Sequence, residues 1–334
     1  MTLPFAWPRL GLGIAWGGVA VSLALAPLLE HAPLWALALP WVLSVVALGL
    51  PHGAADPVVP FALRGESLRL VSIAVFCLLY LGLGAATLVV WAWMPVTAAV
   101  AFLGLTWAHW GQGDVYALRA LGWDAHLAGP AQRALAGVVR GALPMVVPLA
   151  AHPEVYAEVV GAMAAAVEPG RGAEAAALVR RLPSAAVWAG LAALASVYAV
   201  WGALVARRRP RAWRAWRLDV AEVGGLALFF SVLPPLWSVG VYFCLWHALR
   251  HLERLAPLVA GGSARRLALL ALPGTVGAVL LIGAVFGSAL GVGPGAGEPL
   301  AGVGAYLVGI AALTVPHVVV VGWMDLRQRV WTAP

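Results

Sequence analysis

Residues 68–91 read LRLVSIAVFCLLYLGLGAATLVVW, and Arg69 is the one charged residue in this stretch. A helix needs about 20 consecutive apolar residues to cross the ~30 Å hydrocarbon core of a bilayer. A segment of this length and polarity therefore predicts a transmembrane helix. The fold of the whole chain depends on how often this pattern returns.

The composition extends the same pattern to all 334 residues. Hydrophobic residues make up 63% of the sequence and charged residues only 10%, with a mean hydropathy of +0.91. Soluble domains carry roughly a quarter charged residues, so this chain cannot cover a globule of its own size with polar surface. An ordinary cytosolic enzyme and a disordered tail are excluded. We predict an all-α, polytopic transmembrane helical bundle that forms a single integral membrane domain over residues 1–334.

Hydropathy predicts about ten transmembrane helices, with a range of eight to ten. The candidate spans are 10–29, 34–52, 68–91, 94–112, 132–150, 184–206, 219–234, 236–254, 266–290 and 300–324. The first is interpreted as a transmembrane helix and not as a cleaved signal peptide, because many further spans follow it. Residues 151–183 are interpreted as a loop with one short interfacial helix near Val155–Val167, and residues 291–297 as a glycine-rich loop.

All 21 cationic residues are arginines, and their positions orient the bundle. If Arg9 is cytoplasmic, 17 of the 21 lie in cytoplasmic loops or ends, as the positive-inside rule requires. We therefore predict a multi-pass protein of the cell membrane with both termini cytoplasmic. Arg140 lies inside the fifth span, and we expect its side chain to extend toward the cytoplasmic face. The net charge of +7 suits anionic membrane lipid, so no nucleic-acid partner is expected.

The lack of lysine in the sequence excludes two classes of protein. Without a lysine no Schiff base can form, so the chain is not a rhodopsin. Without a P-loop lysine it is not a Walker-type NTPase. Cys77 and Cys244 lie in separate apolar runs, and they give neither a disulfide framework nor a metal-spaced pair.

The eight histidines divide into two groups. His31, His126 and His152 lie in predicted loops, where we expect them to be solvated. The other five lie near the cytoplasmic ends of the second, fourth, eighth and tenth spans: His52, His109, His247, His251 and His317. His247 and His251 are four residues apart and project from the same helix face. Ionisable groups at one shared depth in a membrane usually face a bundle interior or a cavity.

These five imidazoles predict a metal site that is built from facing helices. An all-imidazole set suits iron, copper or zinc better than magnesium or calcium. Asp56, Asp114 and Asp325 each follow one of the histidines by four to eight residues. Metal-bound histidines usually form a hydrogen bond through their second ring nitrogen, so these aspartates are candidates for orienting the rings. Alternatively, they solvate helix ends or pair with loop arginines.

Four short motifs carry the five histidines. They are PHGAAD at 51–56, HWGQGD at 109–114, WHALRH at 246–251 and PHVVVVGWMD at 316–325. Their order, spacing and transmembrane setting resemble those of the Brp/Blh family of membrane β-carotene central-cleavage dioxygenases. The chain departs from the expected pattern at Gln112, where a smaller or acidic residue would be usual. No proposed ligand is affected by this departure.

The resemblance implies that O2 and an Fe(2+) centre cleave the central double bond of β-carotene. The products would be two retinal molecules, which can supply a rhodopsin. The residues implied as iron ligands are His52, His109, His247 and His251. His317 also lies in a matching motif and is expected to support the site or to be a further ligand.

The substrate that the resemblance implies is a rigid hydrocarbon that resides in membrane lipid, so the enzyme could admit it laterally. Cleavage at the central bond requires a tunnel that measures length from the metal, and apolar aromatic walls suit such a ligand. Aromatic residues near the histidines are the candidates for these walls: Trp107, Trp110, Tyr242, Phe243 and Trp246.

Two other classes of function stay open from the residues alone. A membrane di-iron hydroxylase or desaturase uses several closely spaced histidine boxes, whereas this chain has one HxxxH pair and three single histidines. A bis-histidine haem carrier or an ion transporter would also place imidazoles inside a bundle. Metal stoichiometry, a haem absorption band and ion flux distinguish these alternatives.

Overall fold

The computed structural model describes residues 8–287 and 299–332, and every regular element in these ranges is helical. The α-helices are α1 (Pro8–Ala24), α2 (Ala26–Leu29), α3 (Leu34–Leu37), α4 (Leu39–Val46), α5 (Gly49–Ala54), α6 (Val59–Arg64), α7 (Leu70–Trp93), α8 (Pro95–Ala120), α9 (Pro130–Ala151), α10 (Pro153–Ala165), α11 (Gly172–Arg180), α12 (Ser184–Ala206), α13 (Pro210–Val232), α14 (Pro235–Val241), α15 (Leu249–Val259), α16 (Ala264–Phe286) and α17 (Pro299–Gln328). Two short 3-10 helices, Asp56–Val58 and Pro169–Arg171, and one π-helix, Tyr242–Ala248, complete the series. The expected all-α class is confirmed for the described residues.

Within residues 8–287 and 299–332, six helical segments are long and apolar enough to cross a membrane: Leu34–Arg64, Leu70–Trp93, Pro130–Ala151, Ser184–Ala206, Ala264–Phe286 and Leu300–Gln328. They coincide with six of the ten expected spans. The other four expected spans are also helical, and they correspond to α1 with α2, to α8, to α13 and to the run from α14 to α15. The last residues of the expected ninth span, 288–290, and the expected loop at 291–297 lie outside the described residues.

The helices α9 and α17 lie in the interior of the bundle, whereas α7 lies at its periphery. Most of the apolar stretch of α9 is buried, whereas only 6% of that of α7 is buried. α9 packs against α8, α12 and α13, and α17 packs against α7 and α10. Large exposed leucines such as Leu78 and Leu79 cover the outer face of α7. An apolar surface of this extent is typical of a helix that faces membrane lipid or another protein.

Glycine allows the backbones of α8 and α9 to approach closely. A Cβ atom at Gly111 would overlap the Gly137 carbonyl, and a Cβ atom at Gly141 would overlap the Trp107 carbonyl. Small residues at such interfaces let membrane helices pack backbone to backbone. This contact holds α8, which carries His109, against the interior helix α9.

The expected second span, 34–52, is not a single helix. It is divided into α3, α4 and α5, and the last break falls at Leu48, which has φ −129° and ψ −49°. A Cβ atom at the next residue, Gly49, would lie 2.7 Å from the Ser44 carbonyl oxygen and 2.8 Å from Cε1 of Phe243. Only glycine fits this approach. Hydropathy does not report backbone breaks, and this one leaves His52 on its own short helix, α5.

Residues 153–180 form two helices where the sequence predicted a loop with one interfacial helix. The expected helix is α10, but a second helix, α11, packs against it. α10 also packs against α17, where a Cβ atom at Gly304 would overlap the Ala162 carbonyl. Glutamates and arginines lower the mean hydropathy of this segment, while its alanines and glycines permit tight packing that a hydropathy window does not detect.

Candidate metal centre and its cavity

Five buried histidines come together from five helical elements. They are His52 on α5, His109 on α8, His247 in the π-helix, His251 on α15 and His317 on α17. Neighbouring ring centroids are 4.8–5.6 Å apart. Residues far apart in the sequence therefore form one imidazole cluster.

His317 lies in the middle of this cluster. Its ring centroid is 4.8 Å from that of His52, 5.0 Å from that of His109 and 5.1 Å from that of His251. His247 adjoins His52 at 5.4 Å and His109 at 4.8 Å. Rings at these separations can share one ion at the ~2 Å metal–nitrogen distances that imidazole ligands make with zinc.

In two of the imidazole rings, a hydrogen bond at one nitrogen determines which nitrogen is left free. Nδ1 of His52 donates to the Gly49 carbonyl, and Nδ1 of His317 donates to Oδ2 of Asp56 at 2.8 Å. Because Nδ1 carries the proton in each ring, Nε2 keeps a lone pair for a metal ion. Tyr80 donates to the same Asp56 oxygen at 3.2 Å and so helps to hold the carboxylate.

The free ring nitrogens fit a metal ion. Four buried Nε2 atoms have no hydrogen-bond partner among the described residues, those of His109, His247, His251 and His317. Unpaired buried polar atoms are rare in folded proteins, and a bound metal ion would give such nitrogens a partner. The ligand atoms fall into two adjoining groups, each within 4.8 Å: His52 with His109 and His247, and Asp56 with His251 and His317. This donor set suits iron, copper or zinc.

The π-helix Tyr242–Ala248 positions His247. It lies within the continuous run from α14 to α15 and buries most of its residues, namely Tyr242, Phe243, Cys244, Trp246, His247 and Ala248. An α-helix would bury a narrower stripe. π-helical segments within α-helices occur frequently at functional sites. The sequence pattern predicted a helix here but not its wider turn.

Asp114 pairs with arginines, which is one of the alternatives that the sequence left open for it. Its carboxylate accepts hydrogen bonds from Arg140 on α9, Arg250 on α15 and Trp246 in the π-helix, at 3.1–3.2 Å. Hydrogen bonds from charged arginine to a carboxylate are stronger than those from a neutral ring. Asp114 therefore joins α8 to three other elements of the site.

Asp325 also has an arginine partner. It accepts hydrogen bonds from Arg254 at 2.7 Å and from Gln112 at 2.9 Å, so it joins α17 to α15 and α8. Gln112, the departure from the family pattern, thus has a structural partner. Of the three aspartates singled out in the sequence, Asp56 is the one that forms a hydrogen bond with a histidine.

Arg140 is fully buried, which corrects the expectation that it extends toward the cytoplasmic face. Asp114, Asp219 and Glu222 surround its guanidinium group. His126, expected to be solvated, is buried as well, with Nε2 2.9 Å from an Asp219 oxygen. The partners come from separate helices, so no local pattern could identify them. Buried membrane charges are tolerated when they are paired in this way.

An apolar cavity of about 530 Å³ adjoins the imidazole cluster. Four of the five histidines line it: His52, His109, His247 and His317. Most of the other lining residues are aliphatic or aromatic, as in pockets for hydrophobic ligands. His251 is outside the lining and contacts the cluster through His52 and His317.

Two of the five aromatic residues expected to form tunnel walls line this cavity. Trp110 and Phe243 stack with their centroids 5.7 Å apart, and Trp110 lies 5.5 Å from His247. The other three lie outside the lining: Trp107, Tyr242 and Trp246. Proximity to the histidines in the sequence does not determine which way a helix face points, and these three side chains lie on faces turned away from the cavity. Aromatic residues that the motifs did not indicate also line the cavity, namely Trp41, Tyr80, Phe102 and Tyr156.

Comparison with known proteins agrees with the four histidine motifs. A family model described as Beta-carotene 15,15'-dioxygenase matches residues 43–325. The chain is 40% identical to the "Probable beta-carotene 15,15'-dioxygenase Blh" of Halobacterium salinarum over 331 residues, which cover 95% of this chain and 93% of that protein. It is 31% identical to the "Probable beta-carotene 15,15'-dioxygenase Brp" of the same species over 337 residues, covering 88% of this chain and 85% of that protein.

A more distant relative is the "Beta-carotene 15,15'-dioxygenase" of uncultured marine bacterium 66A03. It is 24% identical over 288 residues, which cover 84% of this chain and 91% of that protein. No solved structure matches the chain. The family match includes all five histidines and confirms the resemblance that their motifs carry. The chain belongs to the beta-carotene 15,15'-dioxygenase family.

Proposed function

We propose that this protein is a carotenoid cleavage dioxygenase that splits the central double bond of β-carotene with O2 and releases two retinal molecules. The observation that carries the proposal is the position of five imidazoles beside an apolar cavity. The cavity suits a hydrocarbon, and the imidazoles suit a metal that reacts with oxygen. The relatives are named for cleavage of the same bond.

We infer that the metal is Fe(2+), with His52, His109, His247 and His251 as the ligands that family membership implies. We add His317 as a fifth ligand. Its Nδ1 bond to Asp56 and its unpaired Nε2 form the carboxylate–histidine arrangement that is typical of metal sites. His317 also lines the cavity, so its ring lies on the side where substrate would bind. When bound, the iron would supply the activation of O2, which is the difficult chemistry.

The protein's own residues hold the polyene and exclude water. The stacked rings of Trp110 and Phe243 offer a flat apolar wall beside His247, along which a planar polyene can lie. Holding one double bond next to the cluster gives a large gain from proximity and orientation. The reaction balances, because the two carbons of the broken bond each receive one atom of O2 as a carbonyl oxygen. No reductant is required.

We also propose that all ten helical segments cross the membrane as one domain, with both termini cytoplasmic, in the cell membrane. Asp114 on α8 and Asp219 on α13 both pair with Arg140 inside the bundle. Paired charges are compatible with a transmembrane helix. The neighbours of the protein would then be membrane lipid and β-carotene, and the retinal product would supply a rhodopsin.

Retinal formation in cells that accumulate β-carotene tests this function. We expect the wild-type protein to bleach the pigment and to produce retinal, and the variants His109→Ala and His247→Ala to produce none. The matched control is His31→Ala, because His31 is exposed and outside the cluster. Retinal production by both site variants at the wild-type level would refute the proposed ligands.

Metal content distinguishes the proposal from a di-iron hydroxylase. The two adjoining three-residue groups of ligand atoms are the observation that favours this second function. We expect one iron per purified chain and no Soret band. Two irons per chain, with hydroxylated instead of cleaved carotenoid, would favour the hydroxylase.

A further inference from the structure

The apolar cavity extends to two outer helices, α7 and α16, which lie on the lipid side of the bundle. Leu81 on α7 and Leu281 on α16 line the cavity, yet they are 50% and 38% exposed. Their helices carry strongly exposed leucines next to these positions, including Leu79 at 72% and Leu280 at 66%. The cavity wall is therefore one helix thick at this side.

The two outer helices are anchored on inner elements. α7 and α16 both pack against α17, and α16 also packs against α5. Glycines mark the tight contacts: a Cβ atom at Gly84 would lie 3.0 Å from the Ala312 carbonyl oxygen, and one at Gly274 would lie 2.7 Å from the Ala54 carbonyl oxygen. Inner helices thus hold both outer helices in place on either side of the cavity.

Small residues line the cavity between these anchored helices. Gly277 lies one turn beyond Gly274 on α16, but a Cβ atom at Gly277 would have no atom within 4 Å. Cys77 on α7 and Ala278 on α16 are also lining residues, and both are partly exposed. The wall is therefore thin and open here, in contrast to the tight contact at Gly274.

We propose that the seam formed by Cys77, Leu81, Gly277, Ala278 and Leu281 is a lateral portal through which a long, unfunctionalised polyene enters from the acyl chains of the bilayer. This inference rests on the proposed function and adds to it the substrate route and the residues that set its width. Entry from lipid spares a hydrocarbon any passage through water, where its apolar surface is costly.

The portal leads to the imidazole cluster through contacts on the inner face of α7. Cys77, Tyr80 and Leu81 lie three and four residues apart, so they share one helix face, and all three line the cavity. The Tyr80 hydroxyl is engaged by Asp56 and the Leu313 carbonyl, and Asp56 holds His317. The groups that line the route are therefore apolar apart from the Cys77 thiol, and such a lining favours a hydrocarbon over a hydroxylated chain.

Substitution at Gly277 tests the portal in the full-length, iron-loaded protein in phosphatidylcholine nanodiscs. We expect Gly277→Phe to lower kcat/KM for β-carotene by about tenfold or more because the ring fills the seam, and Gly277→Ala to have less than about a threefold effect. Iron content should be unchanged in both variants. Gly283→Phe on α16 and Gly82→Phe on α7 are matched controls, because a Cβ atom at either position meets open space outside the cavity lining.

A second measurement, thiol labelling of Cys77 in the wild-type protein, does not depend on catalytic turnover. Cys77 is a native reporter, since the other cysteine, Cys244, is buried. Under anaerobic conditions, we expect β-carotene to slow the reaction of Cys77 with a phenylmercury reagent, as read by the mass of the intact chain. A Cys77→Ser/Gly82→Cys double variant, with its thiol on the outer lipid face, should react at the same rate with and without β-carotene.

The two measurements separate the portal from the proposed function. Protection of Cys77 together with the loss of kcat/KM in Gly277→Phe supports the portal. Unchanged labelling of Cys77 in the presence of β-carotene, or wild-type kcat/KM in Gly277→Phe, refutes it. If the wild-type protein forms no retinal, the proposed function fails, and the labelling result alone then decides whether polyenes enter at this seam.

Discussion

At the scale of single residues, Asp56 determines how His317 can act. Its carboxylate accepts the Nδ1 proton of His317 and so leaves Nε2 free on the side of the cluster. Carboxylate partners of this kind fix ring orientation and raise ligand basicity in metal sites. A role for His317 as a ligand therefore has a direct test at its neighbour.

We expect Asp56→Asn to lower iron affinity about 10–100-fold, because a neutral amide holds the ring less firmly than a carboxylate. Iron retained against a graded series of chelator concentrations measures this effect on the purified protein. Glu158→Gln is the matched control, since Glu158 is an exposed acid on α10. Equal iron retention by Asp56→Asn and the wild-type protein would contradict the role given to His317.

The sequence predicted residue types at this site better than it predicted their partners. Shared depth singled out all five histidines, and their rings lie next to one another in the structure. The sequence left open whether Asp114 and Asp325 orient imidazoles or pair with arginines, and it did not predict that His126 is buried. Partners depend on how distant helices are rotated against one another, and residue spacing along one helix carries no such information.

At the scale of elements, the break before α5 positions His52. Gly49 passes so close to Ser44 and Phe243 that a side chain cannot be accommodated. We expect Gly49→Ala to lower the free energy of unfolding by about 1–3 kcal/mol, as overpacking does, and to reduce iron content because α5 is displaced. Thermal unfolding in detergent and metal analysis of the same sample measure both effects.

Gly104→Ala provides the control for this substitution. Gly104 lies within α8, and a Cβ atom there would have no atom within 4 Å. The control should therefore keep wild-type unfolding and iron content. If Gly49→Ala behaved like Gly104→Ala, the break would not be needed to position His52.

Hydropathy predicted where helices occur, but not their irregularities. All ten expected segments are helical within the described residues. The division of 34–52, the second helix of the 153–180 segment and the π-helix were not predicted. Each depends on close packing, through glycine, alanine or buried aromatic residues, and a window average over apolar residues does not detect such contacts.

At the scale of the whole molecule, a buried charge network joins the helices behind the imidazole cluster. Arg140 on α9 contacts Asp114 on α8 together with Asp219 and Glu222 on α13. Removing one member of a buried ionic network leaves uncompensated charge, which costs about 3–5 kcal/mol. We expect Arg140→Ala to lower the thermal stability of the protein strongly, whereas Arg211→Ala, at an exposed position, should have little effect.

Thermal unfolding in nanodiscs measures this difference. A wild-type unfolding temperature for Arg140→Ala would show that the network does not hold the bundle together.

From the sequence, the membrane setting and the all-α class could be predicted, because composition alone excludes a water-soluble globule. The network could not, because Arg140 was expected to extend toward the cytoplasmic face, and its three partners lie on two other helices.

The most direct test of the central claim is X-ray absorption at the iron edge of the purified, iron-loaded protein. The claim is that imidazoles from separate helices share one iron beside the apolar cavity. We expect one iron per chain, a first shell of nitrogen and oxygen, and the outer-shell scattering of four to five imidazole rings. A spectrum without imidazole scattering, or with a second iron about 3.5–4 Å away, would contradict the claim.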